Sequence, residues 1–181
     1  HIDCTTAESA VTAAEVYAVE YRVTGSDFAA LDQQEVTLSF WHKHTKTGTY
    51  CVCLKNSAAD RSYLFEYTQT TTNTWEQHTE TVTLDSSGTW LLTEADVGLN
   101  ISFAVFMGTN YHGTADTWQA GNKLATSNQV NAGDSASNDF KLAQVGLYLG
   151  STAPTFTSES VATVKDQVDY YVQRYDFDSV S

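Results

Sequence analysis

Hydrophobic and polar residues alternate along most of this chain with a period of two, the pattern of strands that bury one face. The first alternating segment runs from Tyr17 to Val23, and Gly25-Ser26-Asp27 ends it as a turn. Later segments begin at Val36, Tyr50, Tyr63, Trp75, Ile101 and Phe140. Such short strands joined by turns predict an antiparallel sandwich rather than an α/β fold.

The predicted architecture is all-β: a two-sheet antiparallel jelly-roll sandwich over residues 15–157. In the last strand the alternation changes phase between Leu142 and Val145, which predicts a β-bulge near Ala143 or Gln144. Residues 1–14 are small, polar and rich in Ala, so we expect a linker or the end of an upstream segment.

Only the C-terminal part, residues 158–181, changes period. Apolar residues recur there at steps of three and four, which predicts one amphipathic helix near residues 159–175. Its stripe consists of Val161, Val164, Val168, Tyr171, Val172 and Tyr175. The stripe needs a partner surface, either the sandwich itself or a neighbouring chain.

Composition narrows the possible partners. The 181 residues suit one domain, and the sequence contains no run of 18 apolar residues of the kind that would predict a membrane-spanning helix. A formal charge of -13 and only nine Lys and Arg argue against nucleic-acid binding, because a phosphate backbone needs a basic surface. Neutral glycans or cations are easier partners for so acidic a protein.

The Cys and His residues predict no reactive centre. Cys4, Cys51 and Cys53 are odd in number and poorly spaced for a disulfide or a zinc site, so we interpret them as small buried thiols, typical of a reducing cytoplasm. His42 and His44 lie two apart without a third ligand in sight, which is more typical of a surface feature than of a metal site.

No Ser-His-Asp arrangement, HExxH or phosphate-binding loop is present, and 22 acidic residues make any pairing of two carboxylates uninformative. The chain is therefore expected not to be an enzyme.

The strongest candidate for recognition is the polar loop that follows the apolar strand ending at Met107. Saccharides are bound by aromatic rings that stack on the pyranose and by amides or carboxylates that fix its hydroxyl groups. The loop supplies both kinds of group in Tyr111, Asp116, Trp118, Gln119 and Asn122. The alternative is that Trp118 is a core residue and the loop a connection. Trp75 and Trp90 are expected to pack in the core.

Several short pieces, in this order, carry a resemblance to a known family. They are Val36 to Trp41, Lys46 to Tyr50, Arg61-Ser62-Tyr63, Asn73 to Glu76, Gly88-Thr89-Trp90, Asp116 to Asn122, Phe140 to Gly150 and Gln173-Arg174-Tyr175. The chain resembles a jelly-roll domain found repeatedly in bacteriophage tail fibres, head fibres and related virion proteins, often with a fold like that of carbohydrate-binding modules.

The chain departs from that family at two places. Similar domains usually carry Gln-Leu-Glu-Val-Gly in the last strand, where this chain has Gly146-Leu147-Tyr148-Leu149-Gly150. The part before the Tyr17 strand is also short, so a strand could be missing or supplied from upstream.

The resemblance implies a virion protein, made in the host cytoplasm, that contacts other virion proteins. The expected function is a non-enzymatic tail- or head-fibre domain whose loops attach to a host-surface glycan. A structural or decorating virion domain without a ligand is the alternative, and a glycan depolymerase ranks third. The fibre resemblance and the helical stripe predict a homotrimer. A structural calcium, for which the sequence names no ligands, is a further hypothesis from the acidic surplus and from similar sandwiches.

Overall fold

In the computed structural model, residues 1–158 and 160–165 are described, and they form two antiparallel sheets packed face to face. This architecture confirms the two-sheet sandwich predicted from the alternating pattern. Strands and the loops that join them account for almost all of it, and the one α-helix within the sandwich, α1 (Gly25–Ala29), has five residues. That helix replaces the predicted turn at the end of the first long strand.

The four-stranded sheet has the order β1-β9-β3-β6 and the five-stranded sheet the order β2-β7-β4-β5-β8. The first contains β1 (Ile2–Asp3), β3 (Glu35–His44), β6 (Glu76–Thr83) and β9 (Asp139–Leu149). The second contains β2 (Val16–Thr24), β4 (Gly48–Lys55), β5 (Arg61–Gln69), β7 (Val97–Met107) and β8 (Trp118–Ala120). A single turn of 3-10 helix, Thr109–Tyr111, follows β7.

The core lies between the inner faces of the two sheets. On β3 the inward residues are Val36, Leu38 and Phe40, all essentially inaccessible to solvent. The Phe40 ring meets Tyr67 and Phe103 of the opposite sheet edge-on, at centroid distances of 5.1 and 5.0 Å. Burial of these large side chains is the main stabilising contribution to the sandwich.

The outward face of the five-stranded sheet is buried as well over β4 and β5. Residues 108–126, called the covering loop below, fold back over β4 and β5 and place Leu124 and Ala125 against Cys51 and Cys53. Both thiols are free and buried, as predicted, whereas Cys4, predicted to be buried like them, is free but only half-buried. Burial raises the pKa of Cys53 to about 12. The covering loop therefore closes a second, smaller apolar cluster.

The predicted bulge is present in β9. Ser39 pairs with Gly146 and Trp41 pairs with Ala143, so β9 has one residue more than β3 between these pairs. Gln144 absorbs the extra residue with a φ of 49°. The bulge explains why the apolar phase of β9 changes along the strand.

The ends of the chain differ from the expectation in part. Residues 1–14 were expected to be a linker, yet β1 pairs with β9 and the Glu8 amide donates to the Gly133 carbonyl. At the other end, residues 161–165 are helical and both valines of the stripe that lie there are exposed. The rest of the predicted helix, residue 159 and residues 166–175, lies outside the described part of the chain.

On the side opposite β6 and β8, the two sheets leave an apolar groove between β2 and β9. It has a volume of about 390 Å³ and is lined by Val19, Tyr21, Ile101, Phe103, Leu142 and Leu147, among others. β1 pairs with only two residues of β9.

Candidate functional site

The four-stranded sheet has an outward face that the covering loop does not reach, called the outer face below. Strand register places its side chains in rows across β9, β3 and β6. The outward residues are Thr37, Ser39, Trp41 and Lys43 on β3, Gln77, Thr79 and Thr81 on β6, and Lys141, Ala143, Gly146 and Tyr148 on β9. A small residue on β9 therefore lies beside Trp41 and another beside Ser39.

Two tryptophans line a shallow groove on the outer face. The groove has a volume of about 300 Å³ and is lined by Trp41, Trp75, Ala143 and Gln144. Trp75 immediately precedes β6 and is 43% exposed, although the sequence analysis placed it in the core. The methyl group of Ala143 leaves room beside Trp41, and the bulge brings Gln144 to the same groove.

The loop that carries Trp75 is anchored in the core. The buried Gln69 side chain donates to the carbonyls of Thr71 and Thr74, both at 2.8 Å, while its oxygen accepts from the His44 amide at 2.9 Å. The Glu76 carboxylate accepts from the amides of residues 70 and 71. An exposed indole on a loop tied down in this way is held in place before any ligand arrives, which lowers the entropy cost of binding.

A second groove, of about 290 Å³, continues from Trp41 toward Tyr148. Residues 153–156 pass beside it and form one wall. Its floor is polar, because Gln77 and Thr79 donate to the Ser39 hydroxyl at 3.2 and 3.4 Å. Gly146 makes room for the Tyr148 ring, since a β-carbon there would lie 2.3 Å from the Tyr148 hydroxyl oxygen.

The two grooves together present aromatic rings beside amides and hydroxyls on one open sheet face. This combination is the one that saccharides require: rings stack on the apolar side of a pyranose, and amide groups bind its hydroxyls. The sequence carried a signal for it, because Trp41 falls in the polar phase of β3, alternating with Phe40. Tyr148 and Trp75 carried no comparable signal.

Trp118, the main aromatic of the predicted loop site, packs against the core instead. Its indole nitrogen donates to the Thr83 carbonyl at 2.8 Å. Its ring contacts Tyr63 and Trp90 at centroid distances of 5.5 and 5.7 Å. The geometry favours the alternative in which Trp118 is a core residue. Trp90, which stacks on Phe28 at 5.2 Å, is packed as expected.

Three of the other four residues of the predicted site, Tyr111, Asp116 and Gln119, also take part in folding the covering loop. Tyr111 packs on the cluster around Cys51 and Cys53, and the Gln119 side chain both accepts from and donates to the Thr114 backbone. Asp116 has a φ of 60°, and its amide donates to the Leu64 carbonyl at 2.7 Å.

The five residues do not form one open surface. Asn122 is half-buried, and within the described residues its Oδ1 has no hydrogen-bond partner. Of the five, only Asp116 is exposed. Direct glycan contact by these side chains stays a prediction, but their present contacts are structural.

His42 and His44 are core residues rather than surface ligands. His42 Nδ1 lies 2.9 Å from Gln69 Oε1, and His44 Nε2 lies 3.0 Å from the Tyr67 hydroxyl. Burial, with the neighbouring His42, lowers the pKa of His44 to about 3, so this ring is neutral at physiological pH. Both rings already bind protein groups, as buried polar atoms generally do.

The groups best placed to hold a cation lie at the edge of the four-stranded sheet. His1, Asp3 and Asp139 bring one ligand atom each to within 4.8 Å of one another, since Asp3 and Asp139 are directly opposite in the β1–β9 pair. Lys141 binds the same Asp139 carboxylate at 2.5 Å. Carboxylate oxygens suit calcium and the imidazole a transition metal. The calcium hypothesis acquires candidate ligands here and stays a prediction.

One carboxylate on the inner side of β6 has a shifted proton affinity. Burial raises the pKa of Glu80, although the Tyr63 hydroxyl donates to it at 3.2 Å and acts in the opposite direction. The negative charge of Asp116 contributes further to the rise. This hydrogen bond joins β5 to β6 across the sandwich and gives Glu80 a structural partner.

Comparison of the chain with protein-family models, with curated proteins and with solved structures finds no match in any of the three. The resemblance to phage fibre domains therefore stays a prediction. Among the helices in the described part of the chain, none is long and apolar enough to cross a membrane.

Proposed function

We propose that this chain is a non-enzymatic glycan-binding domain of a bacteriophage tail or head fibre, and that it attaches to a host-surface glycan through the outer face. The observation that carries the glycan assignment is the groove between Trp41 and Trp75, with the Gln144 amide beside it. The virion location rests on the family resemblance. The proposal keeps the ligand class expected from the sequence and moves the contact surface from the covering loop to the outer face.

Rigidity supports the same assignment. A contiguous exposed apolar patch often marks an interaction site, and a patch held rigid loses less entropy when a ligand binds. Trp75 is exposed, yet the loop backbone that carries it is held by two hydrogen bonds from the side chain of the buried Gln69. Truncation of such an aromatic at a binding surface typically costs roughly 1–3 kcal/mol of binding free energy.

The test is a comparison of three variants on a glycan array and on host cells. Trp75→Ala and Trp41→Ala are expected to weaken glycan binding and cell adsorption at least about tenfold. Tyr21→Ala removes an aromatic that is even more exposed, 64% against 43% for Trp75, from β2 on the other sheet, and it is the control. Melting temperatures of Trp75→Ala and the control should stay close to that of the parent protein. Undiminished adsorption by both tryptophan variants would refute the proposal.

A structural virion domain without a ligand is the second candidate. It is favoured by the covering loop, whose aromatic groups face inward rather than toward a ligand. In that case the domain would contact other virion proteins, and the expected homotrimer would be its functional form. Light scattering on the purified chain measures the oligomeric state, and a monomer at all concentrations would count against the trimer.

A further inference from the structure

The outer face differs in charge from the rest of this acidic protein. The chain has 22 acidic and nine basic residues, yet the outward positions of β3, β6 and β9 carry carboxylates only at two strand ends, in Glu35 and Asp139. The two acids of β6 point to the other side, where Glu76 accepts from the Thr70 amide and Glu80 from the Tyr63 hydroxyl. Between these strand ends the outer face therefore has no carboxylate that would repel an anion.

Two lysines stand directly opposite each other at one end of this face. Lys43 of β3 pairs in register with Lys141 of β9. Like charges in such a position destabilise a sheet unless something compensates them. Lys141 is compensated by Asp139, at 2.5 Å. Within the part of the chain that the structure describes, Lys43 forms no ion pair, although its charge helps to lower the pKa of the nearby Asp139 carboxyl. Its ammonium lies 5.9 Å from the centroid of the Trp75 ring.

We propose that the saccharide bound at the outer face is anionic, with a carboxylate or sulfate group on Lys43 and a sugar ring stacked on Trp75. This inference rests on the proposed glycan-binding function and adds the charge of the ligand. An ammonium offers three hydrogen-bond donors, and a charge-assisted bond to an anion is about twice as strong as a neutral one. The indole beneath Lys43 places stacking and charge recognition within one sugar unit of each other.

The net charge of -13 opposes the approach of any polyanion. That repulsion acts over long distances and is screened beyond about 8 Å at physiological ionic strength, whereas direct contact with Lys43 is screened much less. Binding should therefore be measured at about 0.15 M salt. Removal of salt is expected to slow association, because the unscreened field of the whole protein then repels the ligand.

The experiment uses the full chain and polymers immobilised in acidic and neutral pairs. Polygalacturonate and polysialic acid represent carboxylates and are matched by their carboxyl-reduced forms, while dextran sulfate is matched by dextran. Four proteins are compared: the parent, Lys43→Gln, Lys43→Arg and Lys123→Gln. Lys123 lies in the covering loop, where its ammonium donates to the Asn110 carbonyl, so this variant removes the same charge away from the outer face.

We expect at least one acidic polymer to bind about tenfold more tightly than its neutral match, the ratio that corresponds to one charge-assisted hydrogen bond. Lys43→Gln should remove that preference, Lys43→Arg should keep most of it, and Lys123→Gln should keep all of it. Carboxylate or sulfate chemistry is identified by the pair that shows the preference.

Three results would overturn the inference. The first is equal binding to the acidic and neutral polymers, and the second is an acidic preference that persists in Lys43→Gln. In both cases the proposed function still stands if Trp75→Ala loses saccharide binding. Absence of binding to every polymer also overturns it, and adsorption of the Trp75→Ala variant to host cells then decides the proposed function separately.

Discussion

The outward faces of the two sheets differ in whether another segment covers them. The five-stranded sheet buries small and apolar groups on its outward side, such as Cys51 and Cys53, under the covering loop. The four-stranded sheet leaves Trp41 at the surface, beside the exposed Trp75. An aromatic side chain on the covered face is part of a second core, whereas one on the open face is available to a ligand.

The comparison shows that rich composition alone does not identify a binding loop. The covering loop holds aromatic, amide and acidic groups close together in sequence, but it uses them on itself and on the sheet beneath. The outer face gathers its groups from three strands that are distant in sequence. Recognition surfaces of this kind depend on strand register, and local motifs do not reveal them.

The largest expected effect concerns what lies beneath the outer face. The neutral His44 has a pKa of about 3, below its ordinary 6.5, because burial and the neighbouring His42 disfavour its charged form. Between these values the unfolded chain binds the extra proton, so this contribution to stability is present above pH 6.5 and is lost as the pH falls toward 3. We expect the free energy of unfolding to drop by on the order of 3 kcal/mol between pH 6.5 and 4.

Chemical denaturation at a series of pH values measures this drop. His44→Phe keeps a ring of similar size without the titration, and it should flatten the profile in that window whatever its effect on stability at pH 7. Because His44 and Gln69 share the hydrogen bonds that anchor the Trp75 loop, glycan binding should weaken before the sandwich unfolds. A profile equally steep in parent and variant would show that His44 is not the source of the acid sensitivity, and would leave the carboxylates or His42 and His78, whose pKa values burial also lowers.

The second prediction sets the tryptophan under the covering loop against the one on the outer face. Trp118→Ala removes ring contacts to Tyr63 and Trp90 and leaves the Thr83 carbonyl without its donor. It should lower the free energy of unfolding by about 3 kcal/mol, at the lower end of the range for buried aromatics since Trp118 is only half-buried.

Trp75→Ala should cost less than about 1 kcal/mol, because a side chain exposed to this extent loses little burial on truncation. Denaturant titrations of both variants, followed by far-ultraviolet circular dichroism, provide the comparison. A Trp118→Ala protein of unchanged stability that no longer adsorbs to cells would reverse the assignment and return the binding site to the covering loop.

The sequence was sufficient for the sandwich because its signal is local. Val36, Leu38 and Phe40 alternate with Thr37 and Ser39, and this pattern predicts a strand whatever the strand pairs with. The phase change in β9 likewise marks the bulge. It was not sufficient for the binding surface. The two-residue period predicts that the Trp41 and Cys51 side chains both point away from the core. It does not indicate which of the two outward faces is covered by another segment. That depends on the path of residues 108–126, a contact distant in sequence.

Trp75 and Trp118 illustrate the same limit. Each follows a polar segment, with Trp75 just before β6 and Trp118 as the first residue of β8, so their sequence contexts are nearly alike. Their surroundings differ because β8 pairs with β5 next to the Trp90 ring, while the start of β6 lies at the rim of the outer face. Only strand pairing distinguishes them.

The third prediction concerns Gly108, at the start of the covering loop. A β-carbon there would lie 2.2 Å from the Thr12 carbonyl oxygen and 2.4 Å from that of Ala13. The Gly108 amide donates to the Glu15 carbonyl, which holds this loop close to the backbone of Thr12 and Ala13. Moving these backbone atoms aside would strain that hydrogen bond and cost free energy. Gly108→Ala should therefore destabilise the protein by roughly 2 kcal/mol, within the range for overpacking. A melting temperature equal to that of the parent would show that the loop is held less tightly than its contacts indicate.

The smallest expected effect comes from the matching glycine of the outer face. At Gly146 an added β-carbon would meet the outer end of the Tyr148 ring, an end that can rotate toward solvent, rather than backbone. Gly146→Ala should change the free energy of unfolding by less than about 1 kcal/mol, because only one side chain has to move. The displaced ring no longer lies over the strand, so the groove between Tyr148 and Trp41 changes shape. Saccharide binding should fall by a smaller factor than in Trp75→Ala, and isothermal titration beside thermal unfolding separates the two effects. If Gly146→Ala were as destabilising as Gly108→Ala, the outer face would be as tightly packed as the covered one, and the contrast between the two faces would fail.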